Sequence, residues 1–134
     1  MTKNNYEGVW ELLPELSFYQ EGSSPEEGRY EIGLKEENVD FSVSWVIDGE
    51  PGSVGFSGPL DGKLHPSDIA PDSEVSFTRV DENTLESAFV VAGTQIAFAR
   101  RQVSRDGVLM AVLQENRKPD GSSVRITQVY KREA

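Results

Sequence analysis

The sequence predicts an all-β protein: an antiparallel up-and-down meander closed into a β-barrel of 8–10 strands, with one short helical turn near 14–20. Two observations predict it. Apolar residues recur at every second position along much of the 134-residue chain, the period of a strand with one buried and one wet face. Short connections built from Gly, Asn and Asp separate these runs, and those residues tolerate the positive φ that tight hairpins demand.

Taken in order, the first strand lies near Tyr6–Leu13. Pro14 to Glu27 follows, a connection with room for a helical turn that uses Leu16, Phe18 and Tyr19 as apolar contacts. Tyr30, Ile32 and Leu34 then alternate with Arg29, Glu31, Gly33 and Lys35. The clearest run is residues 39–47, where every odd position is apolar and the even ones are Asp40, Ser42, Ser44 and Val46. Asp48-Gly49-Glu50-Pro51-Gly52 turns the chain into a strand carrying Val54 and Phe56. A second long connection, Pro59 to Asp72, holds three prolines and His65. Runs near 74–80, 84–92, 94–104, 108–116 and 123–132 complete nine strands. Their turns are Asp81-Glu82-Asn83, Ala92-Gly93, Arg105-Asp106-Gly107 and Pro119-Asp120-Gly121.

Short strands with one apolar face stack as a sandwich or close as a barrel. The last five run as an uninterrupted meander, which favours closure, and closure removes edges that template aggregation. No internal repeat or linker divides residues 1–134, so one barrel domain is expected. A barrel of this size is filled by its own side chains or just holds one small ligand, and the sequence leaves both open.

Composition narrows the functions. With 13 Lys+Arg against 23 Asp+Glu, the net charge of −10 argues against nucleic acid or an anionic membrane as partner. The absence of cysteine excludes disulfides, thiolate metal sites and thiol nucleophiles. A single histidine, His65, provides no metal-binding pair. No apolar run reaches the ~20 residues of a membrane-spanning helix, and the first residues show no signal-peptide core. A cytoplasmic monomer or homodimer is expected.

Gly8-Val9-Trp10 opens the first strand and Thr127-Gln128-Val129-Tyr130-Lys131-Arg132 closes the last. A Gly-x-Trp in this position of a meander resembles the calycin superfamily of lipocalins, fatty-acid-binding proteins and relatives. The resemblance implies a lipocalin-like barrel in which Trp10 plugs the base beneath a basic residue of the last strand, Lys131 or Arg132. A longer ordered set is similar to a group of small bacterial lipocalin-like proteins: Asp61-Gly62-Lys63 with Pro66, Thr78-Arg79-Val80-Asp81, Asn83-Thr84-Leu85-Glu86, Arg100-Arg101-x-Val103-Ser104-x-Asp106-Gly107 and Val129-Tyr130-Lys131. That second resemblance supports the barrel and carries no activity over.

Fatty-acid-binding proteins end on an inward Arg-x-Tyr that grips a carboxylate through charge-assisted hydrogen bonds. The matching positions here are Gln128 and Tyr130, an amide and a phenol, which suit a neutral or amphipathic ligand. The other reading is that the pair completes an internal hydrogen-bond network. Arg79 and Arg100 lie on the apolar registers Val75-Phe77-Arg79 and Ile96-Phe98-Arg100. They point inward if that register holds, or snorkel from strand ends, and Arg101 is expected to face solvent. Phe41, Trp45, Phe56, Phe77, Phe89 and Phe98, with Val43, form an aromatic-rich inward set that lines a pocket or fills a core. His65, alone in a loop outside strand register, is a poor match to a haem ligand. The spacing of Asp61, Asp68, Asp72 and Asp120 fits no calcium loop. No cofactor and no metal are expected. The expected partner is one small apolar or amphipathic molecule. Turnover, as an isomerase or lyase on a lipid-like substrate, is the lesser expectation, because no acid–base dyad is visible, and a filled barrel acting through its surface as an interaction or structural protein is the alternative.

Overall fold

The computed structural model describes residues 4–21 and 25–133; residues 22–24 of the first long connection lie outside them. Among the described residues eleven strands form one sheet: β1 (Gly8–Leu12), β2 (Phe18–Tyr19), β3 (Glu27–Lys35), β4 (Asn38–Ile47), β5 (Glu50–Pro59), β6 (His65–Pro66), β7 (Ser73–Asp81), β8 (Thr84–Val91), β9 (Thr94–Val103), β10 (Leu109–Arg117) and β11 (Ser123–Arg132). The spatial order is β5-β4-β3-β1-β11-β10-β9-β8-β7-β6, with β2 paired to β11, and every ladder is antiparallel. β1 joins the first and last halves by pairing both β3 and β11. The sheet thereby curls into a nearly closed barrel whose seam lies between β5 and β7. The nine expected strands are all present, and β2 and β6 are two-residue additions within the long connections. The helical turn near 14–20 is a single 3₁₀ turn over Pro14–Leu16.

Turn chemistry follows the residues. Asp48 and Gly49 both take positive φ, 51° and 78°, as do Ala92 and Gly93 at 49° and 80°, the conformation of two-residue hairpins. Elsewhere aspartates clamp the turns by accepting main-chain N–H bonds. Asp81 accepts from Asn83 at 2.8 Å, Asp106 from Val108 at 3.1 Å, and Asp120 from Ser122 at 2.9 Å. Asp61 accepts from Lys63 at 2.9 Å, and its other oxygen meets His65 Nε2 at 2.8 Å. These bonds favour the charged form and hold all four carboxyls below their ordinary range. The main-chain donor is the first cause at Asp61 and Asp81, and the Ser104 and Ser122 hydroxyls are first at Asp106 and Asp120.

A depressed folded-state pKa contributes stability that is present above the unfolded value, about 3.9 for Asp, and lost as pH falls through the folded value. The thermal midpoint is therefore expected to hold between pH 7 and 5 and to drop below about pH 4. Calorimetry at half-unit steps checks this, and an identical midpoint at pH 6 and pH 3 refutes it.

The closed end of the barrel, where β1 starts and β11 finishes, is a packed plug. Trp10 and Tyr6 are fully buried, and Trp10 Nε1 donates to the Tyr6 carbonyl at 3.1 Å. The expected basic residue over the indole is Arg132 rather than Lys131: its guanidinium carbon lies 4.2 Å from the Trp10 ring. Arg132 also donates to the carbonyls of Gly107, at 2.8 Å, Glu7, at 2.8 Å, and Asn5. The glycine of Gly8-x-Trp10 has a physical cause here. Its φ is 141°, and a Cβ would stand 2.5 Å from Arg132 Nη1. Above the plug, Phe41 stacks on Phe56 and Phe77 with centroids 4.7 and 5.3 Å apart. Tyr30 meets Phe41 and Tyr130 edge-on at 5.9 and 5.4 Å.

Candidate functional site: an interior cavity floored by an arginine

Above this aromatic layer the barrel is hollow. A cavity of about 370 Å³ occupies the half of the interior nearer the open end, within the range of ~300–1,000 Å³ typical of small-molecule sites. One wall is broad and apolar, from Val43 and Trp45 on β4 and Val54 and Phe56 on β5. The facing wall mixes short side chains, Ser87 and Ala88 on β8 and Ala97 and Ala99 on β9, with Phe89, Phe98, Gln114 of β10 and Gln128 of β11. Inward small residues on β9 leave the volume that the large residues of β4 and β5 do not reach. Ile69, half-exposed in the loop before β7, lies at the rim.

Arg101 forms the floor. It is 2 % exposed, with Nε donating to Tyr30 Oη at 2.6 Å and Nη1 to Ser87 Oγ at 2.9 Å. Its guanidinium carbon sits 4.5 Å from the Phe41 ring centre and 5.5 Å from that of Tyr30. Among the described residues it has no carboxylate partner. Two neutral hydroxyls take two of its five N–H groups and two ring faces lie against it, which leaves a full positive charge in a medium where charge is costly.

Gln128 belongs to a second polar group. Its amide donates to Tyr19 Oη, and Tyr130 Oη donates to its carbonyl oxygen at 3.0 Å. Burial pushes the Tyr130 hydroxyl far above its ordinary value and raises that of Tyr19, so both stay neutral. This is the internal network, and it also ties β2 to β11.

Of the residues expected to line a site, Trp45, Phe56, Phe89, Phe98 and Gln128 do so. Phe41, Phe77 and Tyr130 are buried in the packed layer beneath. Arg79 lies at the closed end, donating to Asn4 Oδ1 at 2.6 Å beside Tyr6. Of the two β9 arginines, Arg100 takes the outward of its two expected places, and Arg101 leaves the solvent face expected of it. Arg100 is exposed, its Nε 2.7 Å from Glu86 across the outer face, while Arg101 is inside. The ladders explain it: Arg101 pairs with Leu85 and Val112, both fully buried, so Ala97, Ala99, Arg101 and Val103 form the inner register. Ile96 and Phe98 belong to the outer one. Phe98 nevertheless lines both the cavity and a shallow outer depression. His65 pairs with exposed Asp61, away from the cavity.

A second depression, about 690 Å³, opens on the outside between β1, the 3₁₀ turn and the strand ends at the barrel mouth. Glu11, Glu15, Glu26, Glu27 and Glu133 line it, with Arg29 as its basic residue. Trp45 belongs to the lining of both spaces.

No family model matches the chain, and no curated protein matches it in sequence. Solved structures do match over its full length. The fold is a calycin-like barrel. It superposes on a Schistosoma mansoni fatty acid binding protein in complex with arachidonic acid at TM-score 0.66, 10 % identity and 100 % of both chains. Secretory abundant heat soluble protein 4 from Ramazzottius varieornatus gives 0.65, 12 % identity, and 100 % of this chain and 99 % of that one. The extracellular fatty acid binding protein As-p18 gives 0.61, 13 % identity, and 99 % and 100 %. At these identities the likeness is one of fold. Among the described residues no helix is long and apolar enough to cross a membrane, and no group of three or more His, Asp or Glu is placed to hold a metal ion.

Proposed function

We propose that this calycin-like barrel binds one small amphipathic molecule with an anionic head, the head on Arg101 and the apolar body against Val43, Val54 and Phe56. The observation that carries this reading is the buried guanidinium without a carboxylate, at the floor of an apolar cavity. A carboxylate arriving there supplies the missing counter-charge through charge-assisted hydrogen bonds. The counter-charge that Gln128 does not provide on β11 comes from β9 instead, which favours an anionic amphiphile over a neutral one. The fatty acid binding proteins among the structural neighbours support the same reading. The cavity also argues against a solid barrel working only through its surface. Among the described residues no carboxylate or imidazole lines it, and the reading proposed is binding.

Titration calorimetry of decanoate against decanol tests this. Hydrogen bonds to a charged group are worth roughly 1.5–3 kcal/mol, so decanoate is expected to bind about 30-fold more tightly. Equal affinities, or no heat from either compound, would remove the proposal.

A further inference from the structure

We infer that Trp45 sets the length of ligand the barrel accepts, closing the cavity so that an alkyl carboxylate of about ten carbons fills the space between Arg101 and the indole. This rests on the anionic-amphiphile reading above and adds to it a length limit with a named residue.

The placement of Trp45 supplies the first part of the case. It is flanked on both neighbouring strands by glycine, pairing with Gly28 on β3 and Gly52 on β5. The two glycines are filled differently. A Cβ at Gly28 would meet Leu12 at 3.0 Å, whereas one at Gly52 would stand 2.5 Å from Trp45 Nε1 and 2.6 Å from Cε2. The indole therefore leans over Gly52, in a slot that any other residue would fill. There it forms part of the wall of both the interior cavity and the outer depression.

Distance supplies the second. The Arg101 guanidinium lies on the Phe41 ring, and Trp45 is four residues further along β4, about 13 Å at ~3.3 Å per residue. An extended chain of ~1.5 Å single bonds advances roughly 1.25 Å per carbon, so about ten carbons reach the indole. Volume agrees: at roughly 30 Å³ for a water-sized group, 370 Å³ holds about a dozen. Beyond the indole a longer tail meets an open depression lined by five glutamates, where methylenes stay hydrated and gain little from burial.

The test is a chain-length series, octanoate to hexadecanoate below micelle concentrations, titrated against the wild type, Trp45→Ala and Gly52→Ala. In the wild type, affinity is expected to rise to about ten carbons and then level or fall. Trp45→Ala joins the two spaces, and its optimum is expected to lengthen by about four carbons, with hexadecanoate gaining about tenfold over decanoate. Gly52→Ala pushes the indole inward and should shorten the optimum. Trp45→Leu serves as a second variant should Trp45→Ala fold poorly. Emission adds a readout: Trp10 is sealed in the plug, so a shift on adding decanoate reports Trp45 and vanishes in Trp45→Leu. A length profile unchanged in both Trp45 variants overturns the inference and leaves carboxylate binding intact. Failure of every carboxylate to bind the wild type overturns the parent reading and the length limit with it.

Discussion

Replacing Arg101 by methionine is expected to leave a folded barrel that binds decanoate no better than decanol, a loss of about 30-fold in carboxylate affinity from removing hydrogen bonds to a charged group. Stability should move far less, because large terms oppose each other. The substitution forfeits two bonds to a charged donor, at roughly 1.5–3 kcal/mol each, and a desolvated cation–π contact of about 2 kcal/mol. It also removes a buried charge whose desolvation costs several kcal/mol, and methionine fills similar space. The net change is expected to lie within about 2 kcal/mol of zero. Arg101→Lys keeps the charge but not the planar fork that bonds Tyr30 and Ser87 together, and should bind decanoate with intermediate affinity. Calorimetry and urea unfolding on the same preparations separate the two effects. A loss of more than about 4 kcal/mol with undiminished decanoate binding would make Arg101 a structural residue, since breaking an essential buried pair costs on that scale.

That same strand shows where sequence reasoning succeeded and where it stopped. Alternation placed the strands, and turn residues placed their ends. The Gly-x-Trp pattern located the plug, because each of these features is local. On β9, hydrophobicity assigns Ile96 and Phe98 to the inner face because they are large. The cavity inverts that rule. Space exists only where inward residues are small, so Ala97 and Ala99 mark the hollow side and carry Arg101 inward with them. The two-residue period shifts every side chain together, so the face that turns Ala97 and Ala99 inward also turns Arg101 in and Arg100 out. A signal was present in the chain: Leu85 and Val112, which pair with Arg101, belong to clear inward runs on β8 and β10, and Val103 follows on its own strand. Strand pairing is needed to connect them. Tyr30 and Ser87 were likewise invisible as a site, since their role is only to hold a residue from a third strand.

Truncation of Trp10 to alanine is expected to be the most destabilising single change in the molecule. Removing a fully buried Trp costs about 3–5 kcal/mol, against a total of roughly 5–15 kcal/mol for a domain of this size. The plug raises the cost, because the indole carries the Arg132 guanidinium on one face and anchors the Tyr6 carbonyl. Arg132 in turn ties β11 to Gly107 in the β9–β10 turn and to Asn5 and Glu7 before β1. Arg132→Met should therefore cost less than Trp10→Ala, and the double variant less than the sum, by roughly the 2 kcal/mol of a desolvated cation–π contact. Urea denaturation of the four proteins measures the cycle. Additive losses would show the contact between Trp10 and Arg132 to be energetically idle.

The seam between β5 and β7 has a consequence for motion. No ladder joins these strands. Near the closed end the gap is filled by the Phe77 ring over Gly58, whose Cβ would lie 2.9 Å from that ring, and by Gly62 N–H on the Phe77 carbonyl. β5 itself, Glu-Pro-Gly-Ser-Val-Gly-Phe-Ser-Gly-Pro, holds three glycines and two prolines in ten residues, the weakest strand formers in the chain. Hydrogen exchange should therefore be graded around the barrel, with β5 amides the first to take up deuterium and the β1–β11–β10 staves among the last. On that gradient the barrel is expected to open like a book, its spine at β1 and its fore-edge at β5, with the Val54 and Phe56 wall of the cavity carried on the leaf expected to move.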